Sequence, residues 1–264
     1  MYDVLIAGGG PAGMTAAIYA VQSGLSTLLI AGPAPGGQVA SASLVENYPG
    51  FPLVYGADLV QKLMEHITSV GIKTVSETVQ GFQLSGKTKA VMTETSSYKG
   101  RAVILAQGSE RRKLGIPGEE EFRGRGVSYC ATCDGNFFRA EAYFAGQLRS
   151  LPNIEHIAGW QATAIEGSQK VESLLLKSTE DGSEKRLPVD GVFVSIGVRP
   201  NTHLLEGFLP LSDEFIEAGE DCVTQIPGVY AAGDIRRKKL YQIVTAVADG
   251  ANAAHSALLY LQGH

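Results

Sequence analysis

The sequence has few of the features that mark secreted, membrane-spanning or nucleic-acid-binding proteins. Its three cysteines are too few, and odd in number, for a disulfide scaffold. No apolar run approaches the roughly 18 residues that a membrane span needs, and the N-terminal Met1-Tyr2-Asp3 leads into apolar residues without the basic segment of a secretory leader. The formal net charge of −5 argues against nucleic acid as a partner. We therefore expect a cytoplasmic protein that acts without a membrane or nucleic acid.

The ligand spacing of a metal site is also lacking. Cys130 and Cys133 form a CxxC pair, but Cys222 stands alone, and His156 and His203 do not have the spacing of zinc ligands. A CxxC pair in such a chain predicts a redox-active dithiol, because the small disulfide ring tunes the pKa and reactivity of both thiols. A metal site and a pair of inert buried thiols are the weaker alternatives.

Asp134 directly follows the CxxC pair. A carboxyl group at this position could carry the proton that thiol exchange releases or takes up. The alternative is a turn residue that precedes Gly135. The predicted catalytic residues are therefore Cys130, Cys133 and Asp134.

Glycine, by contrast, is abundant, with 32 residues in the chain, about twice average usage. The first cluster, Gly8-Gly9-Gly10-Pro11-Ala12-Gly13, follows an apolar segment at 3–8 and precedes an alanine-rich segment with helical spacing; a second apolar segment spans 26–30. This pattern is a βαβ unit with G-x-G-x-x-G at the strand-to-helix turn, which places a pyrophosphate on a helix N-terminus. The acidic residue that often follows the second strand is missing, since Ala31 follows Ile30. We predict an α/β, Rossmann-like dinucleotide-binding fold.

The remaining sequence alternates between strand and helix patterns. The predicted elements are an amphipathic helix at 57–70, strands within 72–106 and 154–196 with a turn at 180–182, a buried strand at 192–197, a strand within 229–234 and a helix at 242–261. The basic run Arg236–Lys239 is interpreted as a solvated loop or, alternatively, as a docking patch for an acidic partner or a phosphate.

Eight short motifs, in order and nearly end to end, resemble those of the low-molecular-weight thioredoxin reductase family. They are GGGPAG at 8–13, GGQ at 36–38, ENYPGFP at 46–52, AQG at 106–108, YCATCDG at 129–135, SIGVRPNT at 195–202, PGVYAAGD at 227–234 and QIVTAVADG at 242–250. The resemblance implies a Rossmann-like, GR2-like FAD-binding domain at 1–112 and 201–264, with a truncated second α/β domain, the redox-active CxxC domain, inserted at 113–200.

The resemblance also assigns roles to individual residues. Cys133 would face the flavin, Cys130 would attack the disulfide of the protein partner, and Asp134 would be the acid–base group. Cys222 matches no redox position and is expected to be a small buried residue. The implied FAD contacts are Gly8, Gly10, Pro11, Ala12 and Gly13 at the pyrophosphate; Gly37, Gln38 and Asn47 beside the flavin; Val79 at the adenine; Gly108 near the cofactor; Gly233 and Asp234 at the ribityl or phosphate portion; and Gln242, Ile243 and Ala246 at the isoalloxazine and ribityl region.

The chain departs from the family pattern in three places. Gln107 stands where the family usually has threonine, and Tyr241 stands where it usually has arginine; the tyrosine could stack near the flavin or simply pack. The third departure is a missing unit. The family has a second βαβ unit after the CxxC motif, with a glycine-rich turn and a basic cluster for NADPH. No such turn follows Asp134, Arg139 and Arg149 are isolated, and the segment is shorter than the ~30 residues of a βαβ unit.

We therefore predict an FAD-dependent disulfide reductase whose electron donor is not a nicotinamide, similar to the ferredoxin-linked branch of this family. Thioredoxin would be the acceptor, and the basic run could dock an acidic ferredoxin. Two alternatives stay open: a dithiol oxidase that passes electrons to oxygen, and a shortened flavoprotein that keeps FAD without turnover. Because the truncated domain would expose strand edges and the family is homodimeric, we expect a homodimer.

Overall fold

The computed structural model describes residues 1–42, 44–129 and 154–263. The chain divides into two compact units, one formed by Met1–Glu110 with Arg199–His264 and the other by Arg111–Val198. Each predicted domain boundary lies two residues beyond the corresponding boundary of these units. The redox segment that begins at Cys130 lies outside the described residues, so its predicted role stays a prediction.

The described elements are sixteen strands and three α-helices, with short 3₁₀ turns at Gly37–Ser41 and His203–Leu205. In chain order they are β1 (Tyr2–Ala7), α1 (Pro11–Gln22), β2 (Thr27–Ile30), α2 (Gly56–Ser69), β3 (Lys73–Val75), β4 (Val79–Gln83), β5 (Lys89–Thr93), β6 (Ser97–Leu105), β7 (Ser109–Arg111), β8 (Val127–Ser128), β9 (Trp160–Gly167), β10 (Val171–Ser178), β11 (Glu184–Pro188), β12 (Val192–Phe193), β13 (Val198–Pro200), β14 (Leu211–Ser212), β15 (Phe215–Ile216), β16 (Val229–Ala231) and α3 (Ile243–Gln262).

A seven-stranded sheet forms the centre of the first unit, in the order β3-β2-β1-β6-β5-β4 with β16 also paired to β6. The long strand β6 pairs with β1 along one edge and with both β5 and β16 along the other. Its residues 97–100 pair antiparallel with β5, and residues 103–105 pair parallel with β16. The strands β1, β2, β3, β6 and β16 are mutually parallel, as the predicted Rossmann-like fold requires.

Both faces of the sheet are buried along β2, β16 and the C-terminal parts of β1 and β6, which explains the continuous apolar runs in these parallel strands. Along β1, Val4 and Ile6 join the hydrophobic cluster with α1 and α3, whereas Leu5 and Ala7 join the cluster on the opposite face. The small residues of α3 allow close helix packing: a Cβ at Gly250 would lie 2.2 Å from the carbonyl oxygen of Ala12.

The carboxyl ends of four parallel strands lie level with one another. Ala7 at the end of β1 is opposite both Ile30 and Leu105, and Ala231 at the end of β16 is also opposite Leu105. The loops that follow these strands therefore meet at one edge of the sheet, where open α/β sheets bind their ligands. The glycine cluster predicted to bind a dinucleotide follows Ala7.

In the second unit, β9, β10 and β11 form an antiparallel sheet, and β8 pairs in parallel with β12. The predicted turn at 180–182 is confirmed, since β10 ends at Ser178 and β11 begins at Glu184. The prediction of a buried strand over 192–197 is wrong beyond its first two residues: β12 ends at Phe193, and Ile196 is 49% exposed. An apolar run alone did not distinguish this loop from a buried strand. None of the helices in the described parts of the chain combines the length and apolar character needed to cross a bilayer.

Candidate functional site

The glycine cluster forms a tight turn between β1 and α1. Gly8 has a φ of 120°, and a Cβ there would lie 2.2 Å from the carbonyl oxygen of Ala106, so only glycine fits. A Cβ at Gly13 would lie 1.9 Å from the carbonyl oxygen of Gly8. At Gly10, in contrast, a Cβ would meet nothing within 4 Å. The turn is thus packed tightly on its protein side and open at Gly10.

Helix α1 presents an uncapped N-terminus at this turn. Gly10 is the N-cap and provides no side chain, Pro11 occupies the first helical position, and the first turn contains no acidic residue. The first N–H groups of an α-helix have no partner within the helix, and the helix dipole favours an anion at that end. This geometry suits a phosphate group.

Two further loops surround the glycine turn. The Gly36 N–H donates to the carbonyl oxygen of Gly9 at 2.7 Å, which brings the predicted site residues Gly37 and Gln38 beside the turn. The Gln38 Nε2 donates to the backbone oxygen of Ser109 at 2.8 Å and approaches its Oγ at 3.1 Å. Gln38 therefore links this loop to the segment after β6 that contains Gly108.

A third contact brings two predicted flavin-side residues together from opposite ends of the chain. The Asn47 Nδ2 donates to the Oε1 of Gln242 at 3.1 Å. Gln242 is the N-cap of α3, where Thr245 completes a reciprocal capping box, and Ile243 begins the helix. The N-terminus of α3 is thereby fixed beside the loop at 46–52.

The turn after β16 lies against α1. Gly233 has a φ of 79°, and a Cβ there would lie 2.8 Å from the Cβ of Ala12 and 3.8 Å from the Cβ of Ala246. The predicted residues Ala12, Gly233, Asp234 and Ala246 are thus gathered at the first turn of α1.

Asp234 belongs to a cluster of charged side chains next to the turn that follows β16. Its Oδ1 lies 3.0 Å from the Nζ of Lys238, which also lies 3.3 Å from the Oδ2 of Asp249. Arg236 donates its Nε and Nη2 to the two carboxylate oxygens of Asp249 at 2.9 and 2.5 Å, and the Gly233 N–H donates to Oδ2 at 3.0 Å. Asp249 is 3% exposed and Arg236 is 8% exposed.

This cluster corrects the interpretation of the basic run as a solvated loop at two of its four residues, Arg236 and Lys238. Arg236 and Lys238 are turned into the first unit, where they pair with carboxylates. Arg237 is exposed but pairs with Asp213 at 2.7 Å, and Lys239 is exposed. The run therefore presents far less charge to a partner than its sequence suggests.

Tyr241, one of the departures from the family pattern, packs within the protein. Its ring centroid lies 5.4 Å from that of Phe215, and the Nζ of Lys238 lies 5.7 Å from the Tyr241 ring. Cys222 is fully buried, as expected, with its Sγ 3.4 Å from the carbonyl oxygen of Asp249. Burial, and secondarily the charge of Asp249, raises the pKa of the Cys222 thiol to about 12, so this thiol is unreactive at neutral pH.

Four predicted site residues are not among those gathered around the glycine turn. Val79 begins β4 and packs against the hydrophobic cluster that contains Leu28 and Ile30, on the face away from α1. Cys130, Cys133 and Asp134 lie outside the described residues.

The residue that precedes Cys130 in the sequence is held firmly. The Tyr129 hydroxyl donates to the Oε1 of Glu119 at 2.8 Å, and the same carboxylate accepts the N–H groups of Leu114 and Gly115 at 2.8 and 2.7 Å. Burial raises the pKa of Glu119, but these hydrogen bonds outweigh it and hold the pKa below its usual value. The pKa of Tyr129 is raised by burial and by its bond to Glu119.

Comparison with known proteins places this geometry in a family. The model of the pyridine nucleotide-disulphide oxidoreductase family matches residues 2–142 and 138–250. Thioredoxin reductase of Listeria innocua is 39% identical over 308 aligned residues, which cover 99% of this chain and 94% of that protein. Thioredoxin reductase of Bacillus subtilis is 38% identical over 305 residues, covering 99% and 95%.

Solved structures agree with these relatives. Thioredoxin reductase from Streptococcus pyogenes superposes with a TM-score of 0.88 at 34% identity, covering 100% of this chain and 99% of that one. A ferredoxin-flavin thioredoxin reductase from Clostridium acetobutylicum has a TM-score of 0.63 at 32% identity, covering 100% and 99%. The chain therefore belongs to the pyridine nucleotide-disulphide oxidoreductase family. Within that family it is an FAD-dependent disulfide oxidoreductase of the thioredoxin-reductase type.

The residues at the sheet edge fit FAD. The space at Gly10 and the uncapped N-terminus of α1 can accept a pyrophosphate. Among the described residues, Gln107 Oε1 and Asp234 Oδ1 are buried atoms without a hydrogen bond, although Asp234 Oδ1 has its ion pair with Lys238. Buried polar atoms normally have hydrogen-bond partners, and a hydroxyl-rich ligand supplies donors.

Sequence reasoning missed several residues of this region. The positions of Ser109, Lys238 and Asp249 beside the site follow from pairing between distant segments. The sequence does contain one signal for Asp249. It lies seven residues after Gln242, a spacing that places the two residues on the same face of α3, two helical turns apart.

Proposed function

We propose that this protein reduces the disulfide of thioredoxin with electrons from a one-electron donor of the ferredoxin class, through bound FAD and the Cys130–Cys133 pair. The thioredoxin-reductase type of the chain supports the acceptor, and the ferredoxin-flavin relative supports the donor. We further propose that it acts in the cytoplasm as a homodimer.

The observation that supports a donor other than NADPH is the internal shortening of the chain. The match to the Listeria relative extends over 308 aligned residues, more than the 264 residues of this chain, so that relative contains additional residues within the matched span. Between Asp134 and the start of β9 at Trp160 the sequence has no G-x-G-x-x-G motif and fewer than the ~30 residues of a βαβ unit. Both elements are expected of a second dinucleotide site.

In this proposal the residues at the sheet edge hold FAD. Gly8, Gly10 and Gly13, with Pro11 and Ala12, would bind the pyrophosphate through the N-terminus of α1. Gly37, Gln38, Asn47, Gly108, Gln242, Ile243 and Ala246 would hold the flavin side, Gly233 and Asp234 the ribityl or phosphate portion, and Val79 the adenine. FAD held by these residues would supply a group that can take up electrons singly and release them in pairs, which would join a one-electron donor to two-electron disulfide chemistry.

The thiol chemistry would belong to the CxxC pair. The Cys130 thiolate attacks one sulfur of the thioredoxin disulfide, and the sulfur that leaves takes up a proton, for which Asp134 is the proposed donor. Cys133 then displaces the second thioredoxin sulfur and closes the Cys130–Cys133 disulfide. Two electrons and two protons from the donor side and solvent restore the dithiol.

Anaerobic flavin absorbance tests this proposal. The purified holoprotein is mixed with NADPH, with NADH or with photoreduced ferredoxin, and oxidised thioredoxin is then added. We expect ferredoxin alone to bleach the flavin and thioredoxin to restore the colour. Rapid bleaching by NADPH would contradict the proposed donor.

Two cysteine variants assign the thiol step. Cys130→Ser should keep bleaching by ferredoxin but lose reoxidation by thioredoxin, whereas Cys222→Ala, which changes a buried thiol away from the CxxC motif, should keep both. Absence of reoxidation by thioredoxin in the wild type as well as in Cys130→Ser would show a flavoprotein without disulfide chemistry. Bleaching by dithiols with reoxidation by air would instead indicate a dithiol oxidase.

A further inference from the structure

Lys238 is a buried cation placed between two carboxylates. Its Nζ lies 3.0 Å from the Oδ1 of Asp234 and 3.3 Å from the Oδ2 of Asp249, and its side chain is only 7% exposed. Placing an ammonium group there removes it from water, and this cost is offset only because both carboxylates surround it.

The two carboxylates differ in their other partners. Asp249 receives two hydrogen bonds from Arg236 and one from the Gly233 N–H, so it is satisfied without Lys238. The Oδ1 of Asp234 is buried, and among the described residues its close polar partner is Lys238. The charge of Lys238 is therefore needed mainly by Asp234.

The negative charge of Asp234 lies close to the proposed site of another negative group, the FAD pyrophosphate. Its neighbour Gly233 packs against Ala12, in the first turn of α1, where we propose that the FAD pyrophosphate binds. An uncompensated carboxylate beside this turn would repel the two phosphate charges, since like charges in a partly buried site interact strongly.

We propose that Lys238 is a positioning residue for FAD binding: it fixes the Asp234 carboxylate and offsets its charge so that the pyrophosphate can bind beside it. The inference rests on the proposed function only for the placement of FAD at the glycine turn. Lys238 acts through Asp234 and need not contact FAD.

A double-mutant cycle on FAD affinity tests the inference. The dissociation constant of FAD is measured by fluorescence titration of the apoprotein for the wild type, Lys238→Met, Asp234→Asn and the double variant. Removing one member of a buried charge pair should weaken FAD binding about tenfold or more in Lys238→Met. Because Asp234→Asn removes the charge that Lys238 offsets, the double variant should bind FAD no more weakly than Asp234→Asn alone.

Matched variants separate this role from a general contribution to folding. Lys239→Met changes the exposed neighbouring lysine and should leave the FAD dissociation constant unchanged, and Lys238→Arg, which keeps the positive charge, should recover most of the lost affinity. If Lys238→Met does not fold, Lys238→Gln, which keeps a donor but no charge, replaces it in the cycle.

The outcomes distinguish this inference from the proposed function. Losses that multiply in the double variant, or wild-type affinity in Lys238→Met, would overturn the role of Lys238 while leaving the FAD site in place. A wild-type apoprotein that does not bind FAD would overturn the proposed function itself.

Discussion

The guanidinium of Arg236 and the carboxylate of Asp249 form a two-point ion pair inside the first unit, at 2.9 and 2.5 Å. The side chains are 10% and 5% exposed. The pair joins the segment after β16 to the second turn of α3, and the Gly233 N–H shares the same carboxylate. It therefore fixes the backbone turn that contains the proposed FAD residues Gly233 and Asp234.

We expect Asp249→Asn to destabilise the protein strongly. The change leaves Arg236 buried without its charged partner, and breaking a buried ion pair on one side costs about 3–5 kcal/mol. The free energy of unfolding is measured by denaturant titration of the apoprotein. Asp213→Asn is the matched control, because the Arg237–Asp213 pair lies at the surface and Asp213 is 78% exposed. Exposed pairs contribute about 0–1 kcal/mol, so equal losses in both variants would contradict this view of the pair.

The second prediction concerns the glycine turn, where one substitution should weaken FAD binding without changing the stability of the protein. Gly10 has φ −83° and ψ −179°, which alanine adopts readily, and a Cβ there meets no neighbouring atom. We expect Gly10→Ala to change the free energy of unfolding by no more than about 0.5 kcal/mol. Its methyl group would occupy the space proposed for the pyrophosphate, so FAD affinity should fall about tenfold or more, a loss of about 1.4 kcal/mol.

Gly13→Ala is the contrasting variant at the same turn. Its Cβ would overlap the carbonyl oxygen of Gly8, so the backbone must shift, and overpacking of this kind costs about 1–3 kcal/mol. The melting temperature of the apoprotein and the FAD titration are measured for both variants. Unchanged FAD affinity in Gly10→Ala would exclude the open side of this turn as the pyrophosphate site.

The βαβ unit, the C-terminal helix and the turn at 180–182 could be predicted because each depends on a local pattern of apolar residues and glycine. The buried pairing of the basic run could not. Arg236 and Lys238 look solvated in sequence, and their partner Asp249 is separated from them by the loop and first turns of α3. The pairing of β16 with β6, a contact between segments more than 120 residues apart, helps to place the start of this loop against α1.

The candidate site shows the same division. The glycines at the α1 turn have a recognisable spacing, and the family resemblance predicts that Asn47 and Gln242 both lie near the flavin, with which their hydrogen bond agrees. Ser109 and Lys238 had no such signal, because a serine or a lysine is common in any loop. The strand predicted over 192–197 failed for a related reason: an apolar run does not reveal whether its neighbours will cover it.

The Glu119–Tyr129 hydrogen bond gives a prediction about pH. The lowered pKa of Glu119 means that its carboxylate stabilises the second unit above the ordinary glutamate pKa of about 4.3. That stabilisation is lost as the pH falls through the lower pKa of the folded state. Glu119→Gln removes the charged acceptor, so the variant should be less stable than the wild type at pH 6 by about 1–3 kcal/mol.

The difference between the two proteins should shrink as the pH falls below about 4.3, where the wild type loses the same interaction. Fluorescence of Trp160, the single tryptophan of the chain, reports unfolding of the second unit in the apoprotein. Glu121→Gln, which changes an exposed neighbouring carboxylate, is the matched control and should follow the wild type at every pH. A stability gap that stays constant from pH 6 to below 4 would show that Glu119 acts through packing and not through its charge.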